Sequence, residues 1–276
     1  MKTRWTERQR ALLAEMGVRV WGLPDRLPPI EPGQPSPTAP EQRSVPHLGQ
    51  AGATRARPVA TPDGSPPPSI GAEGTATLMP DVGSMDWPAL RTAVAGCTAC
   101  ALCRSRTNTV FGTGNPHARW MIVGEAPGEQ EDLRGEPFVG KSGQLLDSML
   151  AALGLTRGED SPQRQVFIAN TLKCRPPGNR NPEPQEMARC EPFLIRQIEL
   201  VQPRVILAMG RFAVQALLRS TEPIGRLRGR VLRYRDVPLV VTYHPAYLLR
   251  NLLDKARAWE DLCLAREVAA GAARTD

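Results

Sequence analysis

Four apolar runs, Trp120 to Val123, Val166 to Ala169, Val205 to Met209 and Leu239 to Tyr243, recur along the chain from residue 120 onward, with apolar residues at helical spacing between them. Leu145, Leu146, Met149, Leu150 and Leu153 make one such stripe, and Leu194, Ile198 and Val201 another. Runs that are apolar at every position belong to strands buried on both faces, so the pattern predicts an α/β fold with a mainly parallel sheet covered by helices on two sides. Each run ends in a polar group or a tight turn: Gly124-Glu125, Asn170, Gly210-Arg211 and His244. Ligands bind such sheets beyond the carboxyl ends of the strands, so these endings predict a cleft along one edge. The most pronounced of them is Gly124 to Asp132, where the apolar run stops at a glycine and gives way to a Pro-Gly turn and the acids Glu125, Glu129, Glu131 and Asp132.

The first third of the chain cannot take part in that sheet. From Leu23 to about Ser84 it holds half of the chain's 28 prolines with Gly, Ser, Ala and Thr between them, too little apolar surface to offset the entropy of ordering. Three parts are therefore expected: a short amphipathic head over residues 1–22, a disordered linker over 23–85, and a folded domain over 86–272 opened by a helix carrying Trp87, Leu90 and Val94. The head carries Trp5, Leu12, Leu13 and Met16, and a protein partner for it is one expectation. With no apolar run long enough to span a bilayer and no secretion signal, a cytoplasmic protein without a membrane partner is expected, and nothing in the sequence calls for more than a monomer. The net charge of +7, mainly from arginine, permits a nucleic-acid partner without requiring one.

Six cysteines in such a chain point to metal ligation or plain thiols before disulfides. Cys97 and Cys100 form a C-x-x-C pair, Cys103 follows, and Cys174 and Cys190 flank a proline-rich loop. A close pair and two distant thiolates can surround one zinc ion or an iron-sulfur cluster. Cys263, beside Leu262, reads as an ordinary core thiol, and Pro192 is expected to interrupt the helix that carries Cys190. Gly135 to Ser142 matches the phosphate-loop pattern G-x-x-x-x-G-K-S, yet it does not follow a strand directly, so no nucleotide triphosphate is expected there. A helix start near Ser142, able to hold a DNA phosphate, is the alternative use.

Taken together, Cys97-Thr98-Ala99-Cys100, Gly124 to Asp132, Pro137-Phe138-Val139-Gly140, Asn170 ahead of Lys173-Cys174-Arg175-Pro176-Pro177, Cys190, and His244 to Leu249 resemble the family 4, iron-sulfur uracil-DNA glycosylases, in a bacterial form with an N-terminal extension. The resemblance covers residues 97 to about 260. It implies a three-layer α/β/α sandwich with a four-stranded, mainly parallel sheet, and a [4Fe-4S] cluster on Cys97, Cys100, Cys174 and Cys190, with Cys103 spare. It further implies a monofunctional DNA-repair hydrolase that flips uracil from DNA and releases it, leaving an abasic site.

The residues can be assigned roles on that expectation. Phe138 stacks on the base; Asn170 accepts from uracil N3-H and donates to O4, a pairing that cytosine meets badly. His244 donates to O2, where charge develops on the leaving base. Related glycosylases carry an aspartate where this chain has Ala126, so the attacking water needs another holder, and Glu125 is the first candidate, Glu131 the second. Gly124, Ala126 and Gly128 line the base, and Gly128 has no side chain with which to exclude the methyl group of thymine. Leu248 and its neighbours are candidates to wedge into the gap in the duplex, and Arg175, Arg180 and Arg250 to contact phosphates. The alternatives are a DNA binder of the same superfamily that does not turn over or that traps the sugar covalently, and an electron carrier. Some relatives trap the sugar through a histidine in the loop between the distant cysteines, and residues 175–182 contain none.

Overall fold

The computed structural model describes residues 81–271. The head and almost all of the linker lie outside the described residues. The domain includes residues before the expected boundary at Asp86, because Val82 is 5% exposed and packs into the core, and Arg196 Nε donates to the Met85 carbonyl at 2.7 Å.

The elements, in chain order, are α1 (Trp87–Ala95), β1 (Thr113–Gly114), β2 (Trp120–Gly124), α2 (Glu129–Arg134), α3 (Lys141–Ala152), β3 (Val166–Asn170), α4 (Pro184–Val201), β4 (Val205–Met209), α5 (Arg211–Leu218), α6 (Ile224–Leu227), β5 (Val231–Tyr234), β6 (Val237–Thr242), α7 (Pro245–Leu248) and α8 (Asp254–Ala269). The four expected strands form the parallel centre of the sheet, in the order β3-β2-β4-β6. Two antiparallel edge strands extend it to six: the two-residue β1 beside β3, and β5 beside β6. The four-strand expectation was short because neither edge announces itself as an apolar run; β1 is Thr-Gly, and β5 alternates exposed and half-buried residues around Arg233.

Alternation along the central strands divides the core into two layers. In β2, Met121 and Val123 face one layer with α1, α4 and α5; Trp120 and Ile122 face the other with α3 and α8. That is the three-layer α/β/α sandwich. Contrary to expectation, α4 runs continuously through Pro192. Proline removes one intrahelical bond, but Phe193, Leu194, Ile198 and Val201 are all buried in the first layer and hold the helix after it. From β2 the chain goes to β3 on one side and then crosses to β4 on the other. A crevice is expected where the order switches, just past Gly124.

Candidate active site

That crevice exists. A cleft of about 880 Å³ opens at the carboxyl ends of the parallel strands, and its walls include Glu125, Ala126, Gly128, Glu131, Phe138, Asn170, His244 and Arg250. Gly124 is not itself part of the wall but lies against Asn170 and Phe138, which are. A Cβ there would stand 2.4 Å from Asn170 Oδ1 and 2.6 Å from the Phe138 ring, so only glycine lets these two side chains meet over the end of β2. Asn170 is 2% exposed, and its Oδ1 is buried without a hydrogen-bond partner among the described residues. An orphaned acceptor of this kind costs stability and calls for an occupant of the cleft. Phe138 adopts a left-handed backbone conformation, φ 55°, and its ring stacks on His244 with centroids 5.4 Å apart.

His244 follows β6 and caps α7, where its Nδ1 accepts the Ala246 N–H at 3.2 Å. With Nδ1 an acceptor, the neutral ring carries its proton on Nε2. Burial pushes the imidazole pKa down to about 4, helped by the Arg250 charge and opposed by Glu131. The ring is therefore a neutral donor at physiological pH.

The acids separate into distinct roles. Glu125 lines the cleft and its carboxylate makes no hydrogen bond or ion pair with any described residue; burial raises its pKa, which Arg211 partly offsets. Glu131 is otherwise employed. It is 8% exposed, with Oε1 accepting the N–H groups of Val139 (2.9 Å) and Gly140 (3.1 Å) and Oε2 that of Gly128 (3.1 Å). Its lone pairs are spent on the Phe138 loop, which counts against its candidacy as the base. The same contact accounts for Gly128, where a Cβ would come within 2.7 Å of Glu131 Oε2. Asp132 is likewise spent on the backbone N–H groups of Thr107 and Asn108.

Sequence reasoning missed what braces this loop. Arg157 donates to the Pro137 carbonyl at 2.7 Å and pairs with Asp147 at 2.8 Å. A Cβ at Gly143 would lie 1.7 Å from the Phe138 carbonyl oxygen, so that glycine lets α3 pack directly against the loop. The only signal was the glycine itself, one turn into a predicted helix. The phosphate-loop look-alike is thereby explained: Gly135 ends α2 in the left-handed conformation and Gly140 caps α3, so the segment joins two helices around Phe138.

Cys97, Cys100, Cys174 and Cys190 line one narrow cavity, together with Cys103. Among the described residues no group of three or more His, Cys, Asp or Glu stands close enough to hold a single metal ion. The thiols ring a space and do not converge on a point. Two donors already face the sulfurs: Arg106 Nη1 reaches Cys174 Sγ at 3.2 Å and the Lys173 N–H reaches Cys190 Sγ at 3.3 Å. Burial pushes the Cys190 thiol up to about 12, against the pull of the Lys173 charge. A bound cation is what would bring such a thiol to the thiolate.

The candidate DNA contacts divide. Arg250 lines the cleft and is exposed. Arg175 and Arg180 do not line it; Arg175 donates to Asn179 at 2.7 Å, and Arg180 grips Glu186 through two bonds of 3.0 and 2.6 Å. Arg180 thus ties its loop to the start of α4. Leu248 cannot be a wedge as it stands, since it is fully buried in the second core layer. The exposed apolar residues just after it are Leu249 (41%), Leu252 (61%) and Leu253 (94%). α7 ends at Leu248 with that side chain turned inward, and Leu249, Leu252 and Leu253 follow in the connection to α8.

Comparison with known proteins agrees with this geometry. The profile of the "Uracil DNA glycosylase superfamily" matches residues 111–263. A type-4 uracil-DNA glycosylase of Archaeoglobus fulgidus is 44% identical over 164 residues, 56% of this chain and 79% of the relative. One from Thermotoga maritima is 45% identical over 166 residues, 59% and 83% of the two chains. One from Pyrobaculum aerophilum is 41% identical over 188 residues, 65% and 93%. With the profile spanning more than half of the sequence and relatives this similar aligned over most of their own length, the chain belongs to the uracil-DNA glycosylase superfamily and, within it, to the type-4 glycosylases.

Proposed function

We infer that this protein is a uracil-DNA glycosylase, a hydrolase that removes uracil from DNA at the first step of base-excision repair. The observation that carries the reading is the orphaned Asn170 Oδ1, buried beside Phe138 at the floor of the cleft. Uracil N3-H supplies the donor that oxygen lacks, and the Asn170 amide supplies a donor for O4. Cytosine presents an acceptor at N3 and would leave the buried oxygen unpaired. Phe138 gives the flipped base its stacking surface.

When the C1′–N1 bond breaks, its electron pair passes to the base and negative charge gathers on O2. The neutral His244 Nε2–H donates to that oxygen without first having to lose or gain a proton. Water adds to C1′ from the opposite face and gives up a proton to Glu125, whose raised pKa suits a base and whose carboxylate has no hydrogen-bond partner among the described residues. The products are free uracil and an abasic strand. Arg250 contacts a phosphate, and Leu249, Leu252 and Leu253 replace Leu248 as the residues available to fill the vacated stack.

Cys97, Cys100, Cys174 and Cys190 would hold a [4Fe-4S] cluster, which supplies a covalent tie between the Cys97 turn and the segment leading from Asn170 to α4. A ring of thiols around a cavity suits a cluster better than zinc, whose sulfurs must close to about 3.8 Å of one another given Zn–S bonds of about 2.3 Å. The domain so assembled spans residues 86–272 with a few residues before it, and the head and linker supply no site residue. Incubation with a uracil-containing oligonucleotide tests the proposal: free uracil and an alkali-labile, otherwise intact strand are expected, and a bound but unchanged uracil strand would refute it.

A further inference from the structure

Lys173 is a buried cation that the chemistry above does not use. It is 2% exposed, and its Nζ donates to the Asn170 carbonyl at 2.8 Å and to Gln197 Oε1 at 2.6 Å. Gln197, fully buried in α4, donates onward to the Phe111 carbonyl at 2.8 Å. Burying an ammonium group is costly even when its hydrogen bonds are made, and neither of these two acceptors is a carboxylate that would repay it by charge.

The beneficiary is the end of β3. The register of β2 and β3 finishes at the Gly124–Asn170 pair, and beyond it the chain turns away. Thr171 N–H still reaches the Gly124 carbonyl at 3.1 Å and Leu172 N–H that of Glu125 at 3.1 Å, tying this turn to the cleft loop. The Asn170 carbonyl is held from the other side by Lys173. The main chain of Asn170 is thus clamped on both sides while its side-chain oxygen is left without a partner among the described residues.

We propose that Lys173 is a positioning residue for base recognition: by holding the main-chain carbonyl of Asn170 it keeps the Asn170 amide turned into the cleft. This rests on the assignment of Asn170 to uracil N3 and O4. The rival role is service to the thiols, since the Lys173 N–H faces Cys190.

The full-length Lys173→Met variant keeps the aliphatic stem and removes the ammonium group. Its iron content is measured first, and then its affinity for DNA carrying a non-cleavable 2′-fluoro-deoxyuridine against 2′-fluoro-deoxycytidine, with kcat/KM on cleavable substrate. Iron should be retained, and the uracil-over-cytosine ratio and kcat/KM should each fall by roughly ten- to a hundred-fold, as for loss of a buried charged hydrogen bond. Asn170→Ala should lose at least as much, and adding Lys173→Met to it should change nothing further. If Lys173→Met does not fold, Lys173→Met/Gln197→Leu, which removes both ends of the buried polar pair, takes its place in every measurement. A native ratio, a full additional loss in the Asn170→Ala background, or loss of iron from both Lys173 variants overturns the proposal. Native selectivity in Asn170→Ala itself would overturn the Asn170 assignment, and this proposal with it.

Discussion

Substituting Gly124 by alanine should disable the cleft while leaving the fold in place. The added Cβ would sit 2.4 Å from Asn170 Oδ1 and 2.6 and 2.8 Å from two atoms of the Phe138 ring. Ordinary contacts begin at 3.4 Å, so the acceptor must retreat by about 1 Å and the ring by about 0.8 Å if the backbone stays put. Neither has room to do so freely. Asn170 is clamped by Lys173, and the Phe138 loop by Glu131 and Arg157. Displacement of a recognition group by about 1 Å costs on the order of a hundred-fold in rate, and overpacking of this kind costs about 1–3 kcal/mol of stability. Single-turnover release of uracil from a labelled oligonucleotide, beside urea denaturation, measures both. The control is Gly158→Ala, where a Cβ would meet Thr156 Oγ1 at 3.5 Å, an ordinary contact, and which should release uracil at the native rate. A folded Gly124→Ala protein with native release would show that the pocket does not depend on this close approach.

His244→Ala should slow release by roughly a hundred- to a thousand-fold, the usual effect of removing one oxyanion donor; native rates in that variant would remove His244 from the mechanism. Its titration also makes a stability prediction: the unfolded ring takes up a proton near 6.5 and the folded ring only near 4. Stability should therefore be complete above pH 6.5 and fall as the pH drops toward 4, by at most about 3 kcal/mol, and this loss should be absent from urea melts of His244→Gln. Cys190→Ser should lose iron and visible absorbance while Cys103→Ser keeps both, and equal iron in the two variants would contradict the ligand set. A protein beginning at Asp81 should match the full chain in activity, whereas one beginning at Asp86 should lose about 1.5 kcal/mol or more with the burial of Val82; identical urea midpoints would show that Val82 adds nothing. The unmodified protein should leave no denaturation-resistant protein–DNA band, since the described loop of residues 175–182 offers no histidine and its two arginines are engaged within the protein.

The central sheet was legible in the sequence because buried parallel strands must be apolar at every position, a signal that survives without any knowledge of neighbours. Gly124, Asn170 and His244 were legible for a related reason: a strand that ends in a polar or turning residue puts it at the one edge of the sheet where a cleft forms. The same physics explains what was hidden. An edge strand such as β5 has one partner and one wet side, so its residues need not be apolar, and β1 is too short to carry a pattern. Glu125 and Glu131 look alike in sequence, both acids in one loop. Only the folded chain decides that Glu131 spends its oxygens on three backbone N–H groups while Glu125 keeps its carboxylate for the cleft. Leu248 and Leu249 likewise look alike in sequence, and the fold buries one and exposes the other. Lys173 owes its place to Gln197, 24 residues on, and sequence alone determines which groups can pair, while tertiary structure decides which of them are already taken.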